Sequence, residues 1–143
     1  NLTIVAQEAF ANCTSLKVFY APQAKVVYSN AFYNCSSLQS IYLPQLSSNI
    51  VGGSFYGCSA LESINFPKAR TINKNAFNNC SKLKTVYLAS SERLEVNAFS
   101  GCTSLTDIYL PDPPGRYTNA PWGAVNATVH YNTQFDDNGE PIE

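Results

Sequence analysis

Cys13, Cys35, Cys58, Cys80 and Cys102 are the first residues that could do chemistry, and they recur 22 or 23 residues apart. Five is an odd number, so at least one thiol has no partner within the chain. A disulfide framework closes loops at irregular spacings, and a zinc site wants paired Cys-x-x-Cys ligands, which this sequence lacks. Each cysteine instead stands among Phe and Leu at the same point of a recurring pattern, the setting of a small buried hydrophobe. Free, buried thiols are expected, and neither a disulfide nor a metal.

The single histidine is His130. Nucleophilic catalysis needs a nucleophile, a base and an orienting group in mutual reach. Aligned as a strand, Thr128-Val129-His130-Tyr131 sets His130 diagonally from Asp107, with Thr85 and Thr128 beside the aspartate. An open sheet offers no oxyanion donors and does not exclude water, so no catalytic residue is expected. Asp136, Asp137, Asn138 and Glu140 supply oxygens, but they lack the alternating spacing of a calcium loop and Gly139 is misplaced for one. Glycine-rich phosphate loops are absent, and no cofactor is expected. Five Asn-x-Ser/Thr sequons, at Asn1, Asn12, Asn34, Asn79 and Asn126, complete the inventory. Three of them are imposed by the repeat, which at Cys13, Cys35 and Cys80 sets Asn before the cysteine and Ser or Thr after it, so they read as by-products of turn chemistry.

The elements that position these residues are copies of one unit. Phe-x-x-Cys-x-x-Leu cores begin at Phe10, Phe32, Phe55, Phe77 and Phe99, and a short period repeated end to end is the signature of a solenoid. Leu16, Leu38, Leu61, Leu83 and Leu105 form one apolar column. Phe19, Ile41, Ile64, Val86 and Ile108 form a second, and Ala21, Leu43, Phe66, Leu88 and Leu110 a third. Val5, Val27, Ile50, Ile72 and Leu94 supply the opposite wall. The Ile-x-Leu piece alternates with period two and predicts a short strand, parallel to its copy one rung away. Proline ends it at Pro22, Pro44, Pro67 and Pro111. Asn30, Asn75 and Asn97 precede Ala-Phe-x-x-Cys, where Asn suits an N-cap, and a single helical or 3₁₀ turn is expected.

The consensus A-F-x-x-C-x-x-L-x-x-I-x-L-P, in phase from about Ile4 to Pro111, resembles the BspA-like class of leucine-rich repeats. The resemblance implies an arc-shaped, right-handed leucine-rich-repeat solenoid of the α/β class, mostly β and loop, with a parallel sheet on its concave face. It also implies a bacterial cell-surface or secreted protein linked to adhesion, with no shared active site. The domain reading is a repeat region over 1–111 (a partial repeat over 1–9, then five copies), a cap strand within 112–132, and a flexible acidic tail over 133–143. Trp122 is expected to cover the last rung, and the tail to fray. The first rung (Val5, Phe10, Leu16, Phe19) is expected to be an exposed apolar edge and a contact surface, covered by upstream repeats or by another copy.

Strand alternation turns the residues between core positions onto the open face. One such column reads Tyr20, Tyr42, Asn65, Tyr87, Tyr109 and His130; its neighbour reads Val18, Ser40, Ser63, Thr85, Asp107 and Thr128. Tyrosine offers large contact area at low rotamer cost and a polar tip. The candidate ligand-binding residues are therefore Tyr20, Tyr42, Asn65, Tyr87, Tyr109, Asp107 and His130. A host or matrix protein is the expected partner. A glycan is the alternative, since aromatic faces also take sugar rings. The same column could instead be a ladder that only stabilises the sheet, leaving the array a structural spacer.

Composition removes other classes. Formal net charge is −1 and only 13% of the 143 residues are charged, against about 25% in an average soluble protein. No basic stripe exists for nucleic acid. No apolar run approaches the ~20 residues of a membrane span, no amphipathic helix suits a membrane surface, and no basic-then-apolar leader opens the sequence.

Overall fold

The computed structural model describes residues 1–142, so Glu143 of the acidic tail lies outside them. Strands run in the order β1 (Ile4–Val5), β2 (Val18–Tyr20), β3 (Val26–Val27), β4 (Ser40–Tyr42), β5 (Ser63–Asn65), β6 (Thr71–Ile72), β7 (Thr85–Tyr87), β8 (Arg93–Leu94), β9 (Asp107–Tyr109) and β10 (Thr128–His130). Every pairing between them is parallel and joins one rung to the next. The chain is a β-solenoid with two strand walls. Three-residue strands build the wall read from Ile-x-Leu, as β2–β4 and as β5–β7–β9–β10. Two-residue strands build a second wall from the Val5, Val27, Ile72 and Leu94 column, as β1–β3 and β6–β8, with Ile50 bridged to Ile72. The structure thus adds a short second strand to the one expected per rung, because the apolar residues of that wall and their neighbours also pair with their copies.

The third wall is the Ala-Phe-x-x-Cys segment. It is a succession of tight turns rather than a helical turn, and the asparagines are not N-caps. Asn30, Asn75 and Asn97 have φ of 55°, 60° and 61°, and Asn12, Asn34 and Asn79 have 59°, 56° and 62°. An N-cap sits in the β region; the left-handed region costs most residues a Cβ clash and admits Gly and Asn most easily. Gly53 therefore replaces Asn30, and Gly57 and Gly101 stand in the Asn34 and Asn79 slot, with φ of 72° to 77°. The Asn of each repeat sequon thus answers to this backbone geometry, which Gly also meets. Backbone bonds climb the wall as well as closing its turns: Phe32 N–H donates to Ser54 O at 2.9 Å and Asn34 N–H to Tyr56 O at 2.7 Å.

Inside, the Phe rings form one stack, with centroids 5.4, 5.3, 5.1 and 5.7 Å apart from Phe10 to Phe99. All five cysteines are free. Cys35, Cys58, Cys80 and Cys102 each point a thiol at the carbonyl oxygen of the preceding rung's Phe, at 3.0 to 3.2 Å. That carbonyl already accepts the N–H of its own rung's cysteine, as Phe32 O does from Cys35 at 3.2 Å. A small apolar side chain with a weak donor fits this slot, and burial pushes the Cys35 thiol up to about 11 and those of Cys58 and Cys80 well above their ordinary value. They are inert as thiolates at neutral pH.

At the first rung Phe10, Leu16 and Phe19 are only half-buried, while Val5, paired with Val27, is buried. At the other end Trp122 is fully buried, its Nε1–H donating to Thr118 O at 2.8 Å. The Trp122 carbonyl accepts the Phe99 N–H at 3.0 Å, the role that Ala98 O plays for Phe77. The register of the turn wall therefore slips by two residues in the cap, and β10 still pairs with β9. Tyr117 packs edge-on to Trp122 and donates its hydroxyl to Ser91 O at 2.9 Å.

Among the described residues no ladder joins β4 to β5 or β3 to Ile50. The extra residue of the third copy lies between these rungs, in the Ser47-Ser48-Asn49 turn. Ser47 and Ser48 both direct their N–H at Lys25 O, each at 3.1 Å, so one strand position is spent on a bulge.

Candidate functional site

The open face of the longer wall carries the predicted column in register. Tyr20 pairs with Tyr42, Asn65 with Tyr87, Tyr87 with Tyr109, and Tyr109 with His130. Because copies sit one strand spacing apart, about 4.8 Å, the rings of neighbouring rungs come into contact. Tyr20 and Tyr42 stack with centroids 5.1 Å apart and planes 6° from parallel. Tyr87 and Tyr109 are tilted at 5.2 Å, and the His130 ring stacks on Tyr109 at 4.2 Å. Ring faces are thus largely turned on each other, and edges and hydroxyls are left toward solvent. Asn65 interrupts the column. On either side of it, one face of Tyr42 and one face of Tyr87 lack an aromatic neighbour.

Asp107 and His130 meet across the β9–β10 diagonal. The His130 Nε2–H donates to Asp107 Oδ1 at 2.7 Å, and the Thr106 hydroxyl donates to Oδ2 at 2.7 Å. These bonds, the ring nitrogen's first, hold the Asp107 carboxyl below its ordinary value. The pair stands at one end of the open face and gives it a fixed negative charge beside a ring. Thr85 and Thr128, read beside the aspartate, flank it in the ladder.

The tail also takes part in this face. Where fraying was expected, residues 134–142 form a hairpin, with Phe135 bridged to Pro141, Asp136 N–H donating to Glu140 O at 2.9 Å, and Ile142 N–H donating to Gln134 O at 2.8 Å. Asp136 Oδ1 accepts the N–H groups of Asn138 and Glu140, both at 2.9 Å, and these bonds, Glu140's first, lower its carboxyl's titration. The hairpin lies on the break in the Tyr column. Asn65 Nδ2 donates to Glu140 Oε1 at 2.8 Å and to Asn138 O at 3.1 Å. Gly139 is buried there in the left-handed region at φ 80°, and a Cβ on it would come within 2.6 Å of Pro67 Cβ.

The hairpin divides the face into two hollows. One, of about 520 Å³, is walled by Ile41, Tyr42, Asn65, Lys68, Asp137 and Glu140, among others. The other, of about 670 Å³, is walled by Tyr87, Tyr109, His130, Gln134, Glu140 and Ile142, among others. Tyr20 and Tyr42 are 69% and 51% exposed, whereas Tyr87 and Tyr109 are half-buried. Desolvation, and then the Glu140 charge, raise the Tyr87 phenol above its ordinary value. Two signals for this arrangement were present in the sequence: Asn65 as the one break in the aromatic run before the cap, and the Asp137-Asn138-Gly139 turn.

No helix among the described residues is long and apolar enough to cross a membrane. The family model described as a BspA type leucine-rich repeat region matches residues 1–106 in six copies, one more than the Phe–Cys cores. A leucine rich cell surface protein of Faecalibacterium prausnitzii A2-165 is similar in structure, with a TM-score of 0.73 and 26% identity over 87% of this chain and 32% of that one. A leucine-rich repeat protein of Bacteroides ovatus ATCC 8483 aligns with a TM-score of 0.58 and 26% identity over 78% of this chain and 36% of that one. The chain thus spans about a third of the length of these two neighbours. No match was found among curated proteins. With the repeat model covering most of its length, the chain belongs to the BspA-type leucine-rich repeat family.

Proposed function

We propose that this chain is a non-catalytic interaction segment of a bacterial cell-surface protein, and that it binds a protein ligand through the Tyr face. The surface location draws on the F. prausnitzii neighbour, a cell surface protein by description. The observation that carries the binding reading is the stacking of Tyr20 on Tyr42 and of Tyr109 on His130. Stacked rings present edges and hydroxyls outward, which suits the mixed apolar and hydrogen-bonding contacts of a protein partner. A sugar ring seeks a free aromatic face, and here most faces are already covered. Tyr20, Tyr42, Tyr87 and Tyr109 supply contact area, while Asn65, Asp107 and His130 supply polar contacts.

The test is capture of host matrix proteins beside a glycan array, with the native chain and with Tyr42→Ala combined with Tyr87→Ala. Loss of a captured protein in the double variant supports the reading. Unchanged protein capture leaves the column a structural ladder, and loss confined to glycans favours the carbohydrate alternative.

A further inference from the structure

The interruption at Asn65 is a shaped site with an occupant. Two tyrosine faces, about two strand spacings or roughly 10 Å apart, flank a floor made by the Asn65 amide and Pro67. Into this slot the hairpin inserts a turn, not a side chain alone. Asp136 folds the turn from within by holding the Asn138 and Glu140 N–H groups, so that the Asn138 carbonyl and the Glu140 carboxylate converge on one donor, Asn65 Nδ2. Gly139 lets the backbone approach the floor, where any Cβ would strike Pro67 Cβ at 2.6 Å and Asn65 Oδ1 at 2.8 Å. Lys68, whose ammonium donates to Gln45 Oε1, lines the same hollow. Shape and hydrogen bonding agree on one ligand class.

We propose that the slot between Tyr42 and Tyr87 is the specificity point of the open face, that it recognises an acidic, glycine-containing turn on a partner protein, and that the 134–142 hairpin occupies it in cis until such a partner displaces it. This rests on the Tyr face being the binding surface and adds what the face selects. A hairpin of this size is marginal alone in water, so its order depends on the slot. A segment tethered this closely has an effective concentration on the order of millimolar, enough to mask the slot from weak ligands and to yield to a partner with wider contacts.

The probe is a fluorescein-labelled peptide of residues 133–142, titrated into the full chain by anisotropy. Gly139→Val, which drives the hairpin off without touching the core, is expected to bind the peptide about tenfold or more tightly than the native chain, whose slot is filled. Adding Asn65→Tyr, which completes the aromatic column and removes the donor, is expected to return binding to the native level or below. A peptide carrying Glu140→Gln is expected to bind several-fold more weakly, through loss of the charge-assisted bond. Amide exchange of Asn138 to Glu140 is expected to quicken at least about tenfold in Asn65→Tyr, as the undocked hairpin opens. Equal peptide binding by native and Gly139→Val chains, binding that survives Asn65→Tyr, or unchanged exchange each overturns the slot. Such a failure, with matrix capture still lost in the double tyrosine variant, leaves the face reading standing; capture retained in that variant removes the face reading itself.

Discussion

The turn wall and the Tyr wall come from the same repeat, yet only the turn wall runs the stack unbroken. Across the junction of the second and third rungs Phe32 and Phe55 stack at 5.3 Å, between neighbouring steps of 5.4 and 5.1 Å. Phe32 N–H reaches Ser54 O at 2.9 Å, as Phe55 N–H reaches Ala76 O. Both strand ladders part at that junction. Ile41 is left half-buried where Ile64, Val86 and Ile108 are buried. The stack is therefore organised by its Phe–Cys turns, and the strand walls absorb the extra residue. Irregularity gathers on the two strand walls, and the hairpin docks where the ladder of the Tyr wall fails.

The strongest way to break this comparison is Phe55→Ala. Phe55 is fully buried between Phe32 and Phe77, and such a truncation costs about 3–5 kcal/mol. Tyr42→Ala on the exposed face is expected to cost less than about 1 kcal/mol. Urea unfolding of the two variants checks the ranking, and similar losses would mean that the turn wall does not organise the stack.

Gly101→Ala sharpens the role of the left-handed turn. Gly101 has φ 77°, and a Cβ there would meet Asn79 Oδ1 at 2.2 Å and Asn79 N at 3.1 Å. A loss of about 2 kcal/mol is expected, against a change of under about 0.5 kcal/mol for Asn79→Gly, which the same backbone accepts. Equilibrium denaturation of both separates a backbone requirement from a side-chain one.

Cys58→Ala removes a thiol directed at Phe32 O at 3.2 Å and leaves a small void, for an expected cost of about 1–2 kcal/mol. Thiol labelling offers a second reading of the same wall. In the native chain Cys13, half-buried on the first rung, is expected to react first, and the four buried cysteines only as the stack opens. Equal labelling of all five would break the comparison.

Much of this was legible because it repeats. The apolar columns, the register of the Tyr face and the diagonal between Asp107 and His130 follow from alignment alone, since a solenoid turns sequence phase into spatial neighbours. The turn asparagines marked a special backbone position, but periodicity cannot tell an N-cap from a left-handed residue. Gly53 in the slot of Asn30, Asn75 and Asn97 was the signal that pointed to the left-handed backbone. The short second strand was hidden because two residues carry no alternation to read. The docked hairpin was hidden for a different reason. Asn65 and Glu140 lie 75 residues apart and outside any shared phase, so their contact depends on a side-chain departure in one rung and on a turn outside the repeats.

The smallest expected effect lies at the far end of the Tyr wall. The His130 Nε2–H and then the Thr106 hydroxyl hold the Asp107 carboxyl below its ordinary value. A carboxyl depressed in the folded state adds stability that is present above its ordinary, unfolded value and is lost as pH falls through the lowered folded one. Side-chain exposures of 37% for His130 and 35% for Asp107 keep the contribution well under about 1 kcal/mol, because solvent screens the pair. The measurable quantity is therefore the titration itself, followed at the Asp107 carboxyl carbon by NMR. His130→Ala is expected to raise its midpoint toward that of an ordinary aspartate, with the Thr106 bond retaining part of the shift. A midpoint unmoved by that substitution would separate His130 from Asp107. The β10 end of the face would then be a ring stacked on Tyr109 without its charge partner, and the polar contacts of the Tyr wall would reduce to the slot at Asn65.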